Sequence, residues 1–151
     1  MDKNKTLIIE ETFNLALKNH QLNKTDIAQE LYNQVLKINP NYVNAHNNLG
    51  AIFTELKEYQ KAISCYEKAI EINPNYIEAH NNLGVVFKRL KEYQKALSCY
   101  EKAKSIDSNN KQTKLGYGRL LIQLNEHKKG LMFIAEGQGV IKFTQSDFKI
   151  I

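Results

Sequence analysis

No stretch of eighteen apolar residues occurs in the 151-residue chain, so no segment has the length and apolarity of a membrane-spanning helix. The opening residues, MDKNKTLIIEETF, lack the apolar core and small-residue cleavage site of a secretory signal. The chain is therefore read as cytoplasmic and free of the membrane. Cysteine is scarce: Cys65 and Cys99 are the only two and lie 34 residues apart, which makes them equivalent positions of a repeat and not a disulfide framework. Proline also occurs only twice, as Pro40 and Pro74, at the same separation. Arg89 and Arg119 are the only arginines among 21 basic residues. Base-specific readers of nucleic acid lean on arginine for bidentate contacts, so a nucleic-acid partner has only net charge in its favour.

Catalytic and metal-binding patterns are missing too. The four histidines, His20, His46, His80 and His127, form no HExxH, no HxD and no pairing with cysteine at metal spacing. His46 and His80 fall on neighbouring helices of the repeat described below. Such helices pack about 10 Å apart, too far for two rings to share an ion held by bonds of about 2 Å. They are read as packing residues. The glycines of LGYGRLL sit in a helical register without the lysine and hydroxyl of a phosphate-binding loop. No metal, no cofactor and no catalytic residue is expected.

What is present is a repeat. Residues 43–76 and 77–110 share 22 identities in 34 positions, including LKEYQKA in full and SCYEKA one residue later. Stepping back 34 residues places Pro40, Leu15 and Tyr32 under Pro74, Leu49 and Tyr66. Stepping forward places Gly118, Gly130 and Gly137 over Gly84, Ala96 and Ala103. One register thus covers about 9–42, 43–76, 77–110 and a degenerate 111–137, with a tail over 138–151, all read as one domain.

Within the second repeat Ala45, Leu49, Ile52, Phe53 and Leu56 form one apolar stripe, and Ala62, Ile63, Tyr66, Ala69, Ile70 and Ile72 another. Each repeat is two amphipathic helices, separated by the breaks LKEY and INPN. Small residues recur at Gly50, Ala62 and Ala69 and at Gly84, Ala96 and Ala103, where helices must nearly touch.

The pattern His46-x2-Leu49-Gly50-x2-Phe53, Ala62-x3-Tyr66, Ala69, Pro74 resembles the tetratricopeptide repeat. Departures are His46 and His80 at a position that often holds tryptophan, Ser108 for the turn proline, and Tyr117 for the usual leucine. The resemblance implies an all-α fold, a right-handed α-solenoid of antiparallel helix pairs whose first helices line a concave groove for an extended peptide. It implies a non-catalytic protein-interaction module. The opening and closing segments also look like bacterial chains in which a similar array precedes a glycosyltransferase, sulfotransferase or iron-oxygenase domain, so an accessory region of a larger enzyme is the alternative.

Asn14, Asn48 and Asn82 occupy one register of the first helix, beside Leu15, Leu49 and Leu83, which are expected to be buried. In the family that position faces the groove, and arrays similar to that of O-linked N-acetylglucosamine transferase use such an asparagine ladder. A carboxamide offers donor and acceptor to a peptide backbone whatever its side chains. Asn47 and Asn81, one residue earlier, would widen the strip. Residues 1–84 carry 8 basic and 10 acidic side chains, whereas residues 85–151 carry 13 and 6. Lys88, Arg89 and Arg119 share the groove-facing register of that basic half, which suits an acidic peptide. The tail residues Val140, Ile141, Phe143, Phe148, Ile150 and Ile151 are expected to cover the end of the array or to mediate self-association.

Overall fold

The structure is a computed structural model that describes residues 3–139. Its regular elements, among the described residues, are the helices α1 (Lys3–Gln21), α2 (Thr25–Ile38), α3 (Val43–Glu55), α4 (Tyr59–Ile72), α5 (Ile77–Arg89), α6 (Tyr93–Ile106), α7 (Lys111–Gln123) and α8 (His127–Gln138). The all-α expectation holds. The chain divides into two compact units, Met1–Ala79 and His80–Ile151, and each has its own packing. The tail residues expected to cover the array, Val140 to Ile151, lie outside the described residues.

Two kinds of turn recur with the period of the sequence. Between the helices of a pair the backbone turns left-handed once, at Asn23, Lys57, Lys91 and Asn125, with φ of 57°, 61°, 61° and 65°. The amide after each of them reaches back five residues: Lys24 to the Asn19 carbonyl, Glu58 to Phe53, Glu92 to Phe87 and Glu126 to Leu121, at 2.8–2.9 Å. This is the closure that satisfies the last carbonyls of a helix. Asparagine tolerates the left-handed region, and lysine does so at a cost. Between pairs the side chain of Asn39 or Asn73 accepts from the amide two residues on, at 3.1 Å. Asp107 does the same at 2.9 Å. The turn at Ser108 therefore forms without proline, because the carboxylate supplies the bond that organises it.

In the N-terminal unit α1–α4 bury Ile9, Phe13, Ala16, Ala28, Tyr32, Val35, Ala45, Leu49 and Ile52 in one core. Phe13 stacks at a tilt on Tyr32 and Tyr42, with centroids 5.6 and 5.1 Å away. Ala62 and Ala69 are fully buried. A Cβ on Gly50 would stand 2.6 Å from the Tyr66 ring, so the tyrosine lies against bare helix backbone. One expectation fails here: Leu15 is 50% exposed whereas Leu49 is 4% exposed. Leu49 packs in the core to which α2 contributes, and no described helix stands on the corresponding side of α1 to cover Leu15.

In the C-terminal unit the corresponding core holds Val86, Phe87, Ala96, Tyr100, Ala103, Tyr117, Leu120 and Leu121. Tyr117 joins Tyr100 at 6.4 Å and Phe133 at 5.0 Å. Glycines bring α7 and α8 to the closest approach. A Cβ on Gly118 would lie 2.6 Å from the Gly130 carbonyl oxygen, and one on Gly130 would lie 2.7 Å from that of Gly118. Asn110 caps α7 by accepting from the Thr113 amide at 2.9 Å. Gly139, with φ of 73°, ends α8 in the left-handed conformation that glycine adopts without strain.

Candidate functional site

The register of Asn14, Asn48 and Asn82 falls on the first helix of its pair in each case, and the three side chains meet different surroundings. Asn14 on α1 is exposed. Asn48 on α3 is half-buried, donates through Nδ2 to the Tyr32 hydroxyl at 3.2 Å, and accepts from Asn47 Nδ2 at 3.3 Å. It is thus partly engaged inside the protein and is not the freely exposed group expected. Asn82 on α5 is half-buried. One repeat further on, the same position of α7 is Gly116.

Asn47 and Asn81 do not widen an exposed strip. They are 7% and 3% exposed, because one residue along a helix turns the side chain by about 100°, here from the open face into the packing. Nδ2 and Oδ1 of Asn81 are both buried with no hydrogen-bond partner among the described residues.

The cations gather in the C-terminal unit. Lys88 and Arg89 end α5, and Arg119 lies on α7. Lys88 is half-buried, while Arg89 and Arg119 are exposed. Burial pushes the Lys88 ammonium below the ordinary lysine range, and the charges of Arg119 and Arg89 push it the same way. The three therefore share one field. Among the described residues the ion pairs use other side chains, such as Lys114 with Glu136 at 2.9 Å, and none joins these three cations to a carboxylate.

Tyr100 of α6 lies beside this cluster and was not singled out as functional from sequence, where its 34-residue spacing with Tyr32 and Tyr66 signals packing only. Its ring is clasped between two glycines: a Cβ on Gly84 would stand 3.0 Å from Cζ, and one on Gly116 would stand 2.9 Å from the hydroxyl. The side chain is 1% exposed and its hydroxyl has no partner among the described residues. Burial, with a smaller push from Cys99, takes the phenol up to about 12, against a small downward pull from Arg119. Tyr32, the equivalent residue one compact unit earlier, has Asn48 as partner; Tyr100 meets Gly116 instead.

Two of the remaining chemistry-bearing groups, His46 and His80, are held in the packing, while His127 is exposed. His46 Nε2 bonds the Pro40 carbonyl at 2.8 Å, and His80 is 7% exposed. No group of three His, Cys, Asp or Glu able to hold a metal occurs among the described residues. Burial pushes the Cys65 thiol up to about 11, away from reactivity. No helix among the described residues is long and apolar enough to cross a membrane.

Paired helices on a 34-residue period define a helical-repeat scaffold for protein partners. The family comparison makes this specific: a tetratricopeptide repeat model matches residues 43–76 and 77–110, and a second model, TPR repeat, matches 18–56. The chain belongs to the tetratricopeptide repeat family. Uncharacterized protein ycf37 of Pyropia yezoensis is 51% identical over 41 residues, which is 27% of this chain and 23% of that protein. Among solved structures, the crystal structure of MamA aligns with a TM-score of 0.75 at 21% identity, covering 87% of this chain and 77% of that one. MamA 41-end from Desulfovibrio magneticus RS-1 gives 0.74 at 20% identity, covering 87% and 75%. At such identities the likeness concerns the fold, an α-solenoid of helix pairs. Arrays of this family are typically non-catalytic scaffolds.

Proposed function

We propose that the chain is a non-catalytic adaptor that binds extended, acidic peptide segments on the first-helix faces of its units. The observation that carries this reading is the gathering of Lys88, Arg89 and Arg119 on one unit without a carboxylate partner among the described residues. Clustered like charges repel one another, and an acidic segment relieves that repulsion. Asn14, Asn48 and Asn82 supply carboxamides to the peptide backbone, which sets the extended conformation without selecting side chains.

The test is fluorescence anisotropy with a library of Gly/Ser peptides of increasing glutamate content. Acidic members should bind, and replacing Asn14, Asn48 and Asn82 together by alanine should weaken them on the order of a hundredfold, since each lost bond is worth about 1 kcal/mol. Asn48→Ala also removes the bond to Tyr32, so thermal melting is followed alongside. Lys88→Glu with Arg89→Glu should weaken glutamate-rich peptides selectively, and less at high salt. Unchanged binding by both variants would refute the reading.

A further inference from the structure

One place in the repeat is built in two ways. In the N-terminal unit α2, α3 and α4 line an open cleft of about 490 Å³ whose apolar floor is Leu36, Leu49, Phe53 and Cys65. Leu36, Phe53 and Cys65 pack against the core yet stay half-exposed, and the volume falls in the range of roughly 300–1,000 Å³ usual for ligand clefts. Two repeats on, in the C-terminal unit, the equivalent positions hold larger side chains: Lys104 stands for Leu36, Tyr117 for Leu49 and Phe133 for Cys65. There the Tyr117 and Phe133 rings meet edge to face at 5.0 Å, and the Lys104 ammonium lies 5.0 and 5.5 Å from their centroids. The C-terminal unit thus fills, with its own aromatic rings and a cation, the place that the N-terminal unit leaves open.

The open cleft also has the charge that suits such a filling. Its rim bears Glu67, Lys68 and Glu71. Lys68 pairs with Glu71 at 2.9 Å, which leaves the exposed Glu67 carboxylate outside the ion pairs of the described residues. The adjoining surface of α2, continuous with the cleft through Asn33 and Leu36, adds Asp26 and Glu30 against Lys37. The two surfaces together carry four carboxylates and two ammonium groups. We propose that this cleft is a docking site for a partner protein's aromatic side chain flanked by a lysine or arginine. The ring enters over Leu49 and Cys65, where Tyr117 and Phe133 stand in the C-terminal unit, and Leu36 and Phe53 bury its sides. The neighbouring cation reaches Glu67, which favours a basic segment and rejects an acidic one. This site goes beyond the acidic-peptide reading and does not depend on it, since it uses the opposite charge and no residue of the asparagine register.

Short capped Gly/Ser peptides with Phe-Lys, Phe-Glu or Ala-Lys at the centre are the probes. They are titrated into the full chain at constant ionic strength and followed through the methyl resonances of Leu36 and Leu49 and the ring of Phe53. The Phe-Lys peptide should shift these to saturation, with Phe-Glu and Ala-Lys roughly tenfold weaker or more, for want of the cation or of the buried ring. Glu67→Lys, at an exposed position, should reverse the preference between Phe-Lys and Phe-Glu. Cys65→Phe, which writes the residue of the C-terminal unit into the cleft, should abolish binding of both; thermal melting checks that it folds, and Glu67→Lys decides alone if it does not. No response to Phe-Lys, an equal response to Phe-Lys and Phe-Glu, or unchanged binding by either folded variant would overturn the proposal. The chain itself carries Lys142-Phe143 and Phe148-Lys149. If replacing Phe143 and Phe148 by serine tightened Phe-Lys binding severalfold, the occupant would be the chain's own tail, and the assignment of a partner protein would fall.

Discussion

Replacing Tyr32 and Tyr100 by phenylalanine should change stability in opposite directions, although the two tyrosines occupy equivalent positions. Both rings are buried, at 0% and 1% exposure, and phenylalanine fills the same volume apart from one oxygen. At Tyr32 that oxygen accepts from Asn48 Nδ2 at 3.2 Å, so its loss removes a hydrogen bond and leaves a half-buried donor poorly served. The cost is about 1 kcal/mol. At Tyr100 the hydroxyl is buried without a partner among the described residues, and a polar group in that condition costs about 1–3 kcal/mol of desolvation. Phenylalanine removes that cost. The two variants should therefore differ by about 2 kcal/mol or more, and with a urea m-value of about 2 kcal/mol per molar the midpoints should separate by about 1 M. Urea denaturation followed by circular dichroism measures this, with amide exchange assigning each change to its own unit. Equal destabilisation by the two substitutions would show that Tyr100 is already hydrogen-bonded and would refute the reasoning.

Lys57→Gly should stabilise the N-terminal unit by about 1 kcal/mol, because lysine at φ of 61° carries a left-handed penalty that glycine escapes; chemical denaturation reads it, and a loss of stability would count against it. Gly118→Ala should cost about 1–3 kcal/mol by forcing α7 off the Gly130 carbonyl, in contrast to the gain alanine brings to an exposed helix; an unchanged melting temperature would contradict it. With the Cys65 thiol pushed up to about 11 from 9.0, alkylation by iodoacetamide at pH 8 should run roughly a hundredfold slower than in the denatured chain, since the thiolate is the reacting form. Mass spectrometry of time points checks this. Asn110→Ala should lose the cap on Thr113 and cost about 1 kcal/mol, seen as faster amide exchange in the first turn of α7.

The helix pairs, their 34-residue period and the small residues at their closest approaches were legible in the sequence because each follows from local regularity. An apolar stripe at helical spacing must be buried along that stripe, and a recurring Gly or Ala marks a contact whichever helix makes it. The family followed from the same spacing. The identity of the neighbours did not. Leu15 and Leu49 share one register, yet only Leu49 has a preceding helix pair against it, so equal positions differ in burial. Asn47 and Asn81 read as surface asparagines, and a rotation of one residue sets them inside the packing. The left-handed turn at Lys57 and Lys91 left no mark, since lysine is a poor choice there and the conformation is imposed by the closure of the helix end. The engagement of Asn48 by Tyr32, and the lack of such a partner for Tyr100 over Gly116, belong to contacts between residues sixteen apart on different helices. A repeat sequence determines which side chains stand at equivalent places; only the tertiary structure decides whether each finds a partner, because a hydrogen bond depends on both atoms meeting and the sequence specifies them separately.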